Sequence, residues 1–186
     1  MTPEGNLKTT WAVLGLAAGA WVVALQRMNG MDMGVATELG SFQSFMALWV
    51  PMMAAMMLPG AVPAVSRIAH FDDSPRAVPL FLALYLAVWA LVGATVYPLY
   101  RPHGATAAGA IVIVAGVYEL TRFKQECRRR CRDSVGSGFH FGLHCVGSSI
   151  GLMLMLIAIG VMSVPWMTVI AGLVLVQKLL PPKISV

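Results

Sequence analysis

Soft metal ligands recur along this chain at helical spacing. In the segment LWVPMMAAMMLPG, Met52 and Met56 are four residues apart, and so are Met53 and Met57. Residues four apart lie on one face of a helix, so each pair could present two thioether sulfurs to one ion. Thioethers are soft ligands that suit Cu(I). Methionine is also a flexible filler of apolar interiors, so packing alone is the other interpretation of this pattern.

A second methionine group occurs in the segment RMNGMDMG, which contains Met28, Met31 and Met33. We predict an outer loop here. Exposed methionines have no core to fill, and in an oxidising compartment thioethers can bind Cu(I) where thiols would be lost. The loop could instead fold onto the membrane surface and bury these side chains.

The third group combines thiols and imidazoles. Cys127 and Cys131 flank three arginines in QECRRRC, and His140, His144 and Cys145 follow. Together they could bind Cu(I) or Zn(II), and the neighbouring arginines would lower the thiol pKa and favour the ligating thiolate. Alternatively, the arginines bind anionic headgroups and the histidines are interfacial anchors. A weaker alternative is a redox sensor formed by the two thiols of QECRRRC.

The composition predicts that these groups lie in a membrane. The chain has 186 residues, of which 58% are hydrophobic and 11% charged, whereas soluble domains have about 25% charged residues. A span requires about 20 apolar residues, so one integral membrane domain, residues 1–186, would fill the chain. The fold class is then an all-α polytopic bundle of about six transmembrane helices. The predicted spans are 11–25, 45–65, 78–97, 104–120, 143–162 and 166–180.

The basic residues predict how these spans are oriented. With the N-terminus inside, eleven of the thirteen lysines and arginines fall on the inner side and only Arg27 and Arg101 on the outer. The positive-inside rule therefore favours six spans with both termini cytoplasmic. This distribution also explains the net charge of +5, so we predict no nucleic-acid partner. The first apolar run resembles a signal peptide, but we favour a retained span. The last two runs form a hairpin, or alternatively a re-entrant pair.

Other polar residues predict structure rather than catalysis. Glu119 ends the fourth run, and we expect a salt bridge to Arg122 or Lys124. The pairs Gly15/Gly19 and Gly147/Gly151 predict close helix packing, within the chain or in a dimer. We find no nucleophile–base pair and no phosphate-binding loop, so we predict that the protein is not an enzyme.

Three ordered motifs carry a family resemblance. The segments LWVPMMAAMMLPGAVP, GVYELTRFKQECRRRCRD and GLHCVGSSIGLMLMLIAIGVMSVPWM resemble a bacterial family of predicted metal-binding integral membrane proteins. That family is linked to copper provision for polyphenol-oxidase-type enzymes. The resemblance implies a multi-pass protein of the bacterial inner membrane, Cu(I) as the bound ion and a copper enzyme as client. Where the family commonly has two cysteines and a tryptophan after a glycine, this chain has Ser148, Ser149 and Ile150. The family's Glu-Lys pair near the end is here Gln177–Lys178.

Two functional hypotheses follow. In the first, the three groups bind, deliver or transfer Cu(I) across the bilayer, which makes all their members candidate ligands. These are Met28, Met31, Met33, Met52, Met53, Met56, Met57, Cys127, Cys131, His140, His144 and Cys145. In the second, metal binding is lost and the chain is an accessory subunit that packs against another membrane protein or a second copy of itself.

Overall fold

The protein is a bundle of helices. The computed structural model describes residues 3–29, 40–71, 74–100, 105–133, 137–160 and 163–179, and all regular secondary structure in these ranges is helical. The predicted all-α fold is therefore confirmed for the described part of the chain. The helices are α1 Pro3–Met28, α2 Phe42–Phe71, α3 Ala77–Leu99, α4 Ala105–Glu119, α5 Arg122–Asp133, α6 Gly138–Gly160 and α7 Val164–Leu179.

Four of these helices are long and apolar enough to cross a bilayer. They comprise Leu7–Met28, Phe42–Phe71, Ala77–Leu99 and Gly138–Ile159, and α4 with α5 would form a fifth span if the bent pair counted as one. The 15 residues of α4 and 16 of α7 extend only about 22–24 Å, less than the roughly 30 Å of hydrocarbon. Four candidate spans are compatible with a membrane protein, while the six-span topology and the orientation of the termini stay predictions.

Helix α5 is a separate element that the hydropathy pattern did not predict. The chain bends by 65° between α4 and α5. Thr121 caps the new helix, because its hydroxyl accepts a hydrogen bond from the backbone N–H of Lys124 at 3.4 Å. Helix α5 carries six lysines and arginines, and each of these charges would be costly in hydrocarbon.

Helix α2 supplies much of the core. The indole N–H of Trp49 donates to the backbone carbonyl of Trp89 at 2.9 Å, which joins α2 to the antiparallel α3. A stripe on α1, formed by Val13, Ala17 and Ala24, is buried in the same core. The bundle therefore packs around the methionine-containing segment of α2.

Glycines allow α6 to approach three neighbouring helices. A Cβ on Gly138 would overlap the backbone carbonyl of Phe81 on α3, and one on Gly147 would lie 2.8 Å from Cys127 Sγ on α5. One on Gly151 would lie 2.6 Å from Glu119 Oε1 on α4. The second glycine pair thus packs within the chain. No described atom beyond the helix itself lies within 4 Å of a Cβ built on Gly15 or Gly19, and the accessory-subunit hypothesis stays a prediction.

Candidate metal site

Cys131 of α5 and Cys145 of α6 form the centre of the candidate site. Their side chains lie close enough to interact with each other, and both are free thiols. Both are buried, with Cys145 fully inaccessible to solvent. Two sulfurs this close on two different helices could bind one soft cation between them.

Tyr85 and Lys178 complete the surroundings of Cys145. The Tyr85 hydroxyl on α3 lies 3.1 Å from Cys145 Sγ. Lys178 on α7 places Nζ 3.4 Å from the Tyr85 hydroxyl and lies close enough to Cys145 to interact with its sulfur. The stem of Lys178 passes against Gly60 of α2, where a Cβ would overlap it. A cation is thus held beside the two sulfurs, where it would stabilise negative charge on them.

Cys127 lies on the same face of α5 but contacts a different part of α6. It is buried against Gly147, whereas Cys131 contacts Cys145. The expectation that neighbouring arginines lower the thiol pKa is wrong. Burial raises the pKa of Cys127 by more than Arg130 lowers it, and the interaction with Cys145 together with burial raises the pKa of Cys131.

We therefore expect Cys127 to be alkylated slowly at neutral pH, because a raised pKa and burial both reduce the accessible thiolate. A cysteine introduced by Arg129→Cys, at an exposed polar position of the same helix, is the control. Cys127 should react with N-ethylmaleimide at least about tenfold more slowly than this control, followed by peptide mass spectrometry. Equal rates would contradict the burial of Cys127.

The two histidines do not join the cysteines. His140 is exposed and lies beside the ring of Phe139, and His144 is half-buried. Among the described residues, no group of three or more His, Cys, Asp or Glu side chains is placed to hold a metal ion. Of the five ligands in the predicted cysteine–histidine group, the structure brings together Cys131 and Cys145.

The four candidate methionines of α2 are buried. Met52, Met53, Met56 and Met57 are at most 2% exposed, and they belong to one contiguous core that also includes Cys131 and Cys145. Because the two pairs occupy adjacent faces of the helix and both faces are covered, these side chains fill the core. Any role as ligands would be in addition to packing.

The outer methionine group is described only at Met28. This residue is the last of α1 and is buried, not in an exposed loop. Met31 and Met33 lie outside the described residues.

A family comparison decides the functional class of this bundle. The family model described as PpoB2, a copper chaperone, matches residues 46–186. The chain belongs to the PpoB2 copper chaperone family. The matched region includes Tyr85, Cys131, Cys145 and Lys178, and it confirms the predicted family and the association with copper. The comparisons with curated proteins and with solved structures found no match.

A polar network next to the copper-chaperone cysteines joins three helices. Glu119 of α4 forms a salt bridge with Lys124 of α5, as predicted, and accepts a hydrogen bond from Gln177 Nε2 of α7 at 3.0 Å. Arg128 donates to the backbone carbonyl of Gln177. Burial lowers the pKa of Lys124, while the carboxylate of Glu119 opposes this shift. The network fixes α5, and therefore Cys131, against α4 and α7.

The hydroxyls of Ser148 and Ser149 have local partners. The Ser148 hydroxyl donates to the backbone carbonyl of Cys145 at 2.8 Å and lies 3.5 Å from the Ser149 hydroxyl. Such back-bonding to a carbonyl of the same helix is a structural role. The three cysteines of the chain are at positions 127, 131 and 145.

Sequence reasoning missed the roles of Tyr85 and Lys178. Lys178 was counted among the basic residues of the inner side, and Tyr85 was included in the predicted span 78–97 without a role of its own. One signal was available for Tyr85, since a phenol deep in an apolar helix usually has a hydrogen-bond partner. The partner itself is set by how α3, α6 and α7 pack, which one sequence does not reveal.

Proposed function

We propose that this copper chaperone holds Cu(I) between the sulfurs of Cys131 and Cys145 and delivers it to a copper enzyme. The observation that carries the proposal is the direct contact of these two thiols within a buried core. Thiolates are soft ligands that suit Cu(I) as well as Zn(II), and membership of a copper chaperone family favours copper. The burial of both residues would protect the bound ion from water and from competing ligands.

Charge balance favours the same pair of ligands. Two thiolates and one Cu(I) carry a net charge of −1, and such a group buried alone would be costly. The ammonium of Lys178, which lies close to Cys145, supplies the opposite charge. Tyr85 can donate its hydroxyl hydrogen to Cys145 Sγ and hold this sulfur in place.

Movement of Cu(I) across the bilayer is the further part of the proposal. The methionines of α2 would offer successive weak sulfur ligands within the core that contains Cys131 and Cys145. The antiparallel packing of α2 with α3 and of α4 with α6 is compatible with six alternating spans. In that topology the cysteine pair lies near the cytoplasmic side, and the client would be an enzyme of the polyphenol-oxidase type.

The substitution Lys178→Gln tests the proposal, because it removes the positive charge beside Cys145. The purified full chain should bind at least one equivalent of Cu(I) in competition with a chromogenic chelator. Lys178→Gln should lower that affinity by about tenfold, because partners of a metal ligand typically contribute 10- to 100-fold. Lys8→Gln removes an exposed lysine of α1 and is the matched control. If both variants bind Cu(I) as the parent does, Lys178 does not compensate the charge of the site.

A further inference from the structure

Helix α5 has an outward face as well as the face that carries the cysteines. The more accessible residues of this helix are Arg122, Phe123, Glu126, Arg129 and Arg130. The side chain of Phe123 is 65% exposed. At about 100° per residue these five positions cover roughly 120° of the helix surface. We refer to them as the outward face of α5.

The opposite face of the helix is fully engaged within the bundle. Lys124 and Arg128 are bound to Glu119 and Gln177, and Cys127 and Cys131 pack against α6. The outward face retains three arginines and one glutamate, a net charge of +2. Glu126 accepts a hydrogen bond from Arg130 at 2.9 Å, in an exposed pair that neutralises one of these charges. The outward face of α5 therefore keeps a net positive charge after this pair is counted.

Apolar side chains lie beside these cations. Phe123 and Leu120 are 65% and 82% exposed, and Leu120 occupies the bend where the apolar helix α4 ends. Arginine next to exposed aromatic and aliphatic side chains is the composition of helices that lie in the membrane interface. There the apolar groups enter the acyl-chain boundary and the guanidinium groups meet phosphates.

We propose that the outward face of α5 is a binding surface for anionic phospholipid headgroups. Charge complementarity selects the occupant, because three guanidinium groups on one face fit phosphate oxygens. The position of Leu120 at the end of an apolar helix places this face at the level of the headgroups. Lipid bound here would hold the helix that carries Cys127 and Cys131 in place at the membrane surface, and the proposal does not depend on copper.

The test compares lipids with the same acyl chains. The full chain is placed in nanodiscs of phosphatidylcholine alone or mixed with phosphatidylglycerol, and hydrogen exchange of residues 122–133 is measured by mass spectrometry. Phosphatidylglycerol should slow exchange in α5, and added salt should reverse the effect. In competition between the two lipids, Arg129→Gln/Arg130→Gln should lower the preference for phosphatidylglycerol by roughly 25-fold, about fivefold per arginine.

The control removes two exposed arginines elsewhere, with Arg27→Gln/Arg76→Gln. This variant should keep the protection of α5 by phosphatidylglycerol. Equal exchange of α5 in the two lipids would overturn the proposal. So would protection of α5 by a soluble polyglutamate peptide but not by phosphatidylglycerol, since that result would assign the face to an acidic protein partner.

Discussion

Cys131→Ser and Cys145→Ser are each expected to lower the affinity for Cu(I) by at least about 100-fold. Each substitution would remove one of the two proposed sulfur ligands, and loss of even an indirect partner of a metal site costs 10- to 100-fold. A hydroxyl is a hard ligand that does not replace a thiolate for Cu(I). The measurement is competition with a chromogenic chelator under reducing conditions, using the full chain in detergent.

Cys127→Ser is the matched control for these two variants. Cys127 lies one helical turn before Cys131 on the same helix and is equally exposed, but it packs against Gly147 rather than Cys145. It should therefore retain Cu(I) binding within a few-fold of the parent. If Cys127→Ser reduces affinity as much as Cys131→Ser does, the binding unit includes the Cys127/Cys131 pair. Retention of tight binding by both Cys131→Ser and Cys145→Ser would remove the proposed site.

The sequence predicted the helical class and the identity of the thiols, but not which thiols meet. Helical periodicity correctly placed Cys127 and Cys131 on one face of one helix, because that spacing is local. The contact between Cys131 and Cys145 depends on how α5 folds back after the bend at Leu120 and Thr121, which is a tertiary property. The partner of Glu119 was predicted correctly because Lys124 lies only five residues away.

The failed pKa prediction has a similar cause. Arginines adjacent in sequence to a cysteine point to other sides of the helix, and burial against α6 acts directly on the thiol. Desolvation therefore outweighs the charge of Arg130 at Cys127. Met28 was assigned to an outer loop with the rest of RMNGMDMG, whereas α1 extends through this residue, which packs in the core. In both cases tertiary burial overrides a local sequence signal.

Gly138→Ala is expected to destabilise the bundle, although alanine normally favours a helix over glycine. The added methyl group would overlap the backbone carbonyl of Phe81, and a backbone cannot move aside as a flexible side chain can. Inserting one carbon into a tightly packed contact costs about 1–3 kcal/mol. The first turn of α6 would separate from α3, which also moves Cys145 relative to Tyr85. Unfolding in mixed micelles with increasing SDS would measure the loss.

The same substitution at Gly172 should act in the opposite direction. Gly172 lies in the middle of α7, and a Cβ there meets no described atom outside its own helix within 4 Å. Gly172→Ala should therefore be neutral or stabilising by up to about 1 kcal/mol, the difference in helix propensity. If Gly138→Ala lowers the stability of the bundle and Gly172→Ala does not, the loss of stability at position 138 comes from the contact between α3 and α6. A stabilising Gly138→Ala would contradict the close approach of these two helices, and with it the placement of Cys145 beside Tyr85.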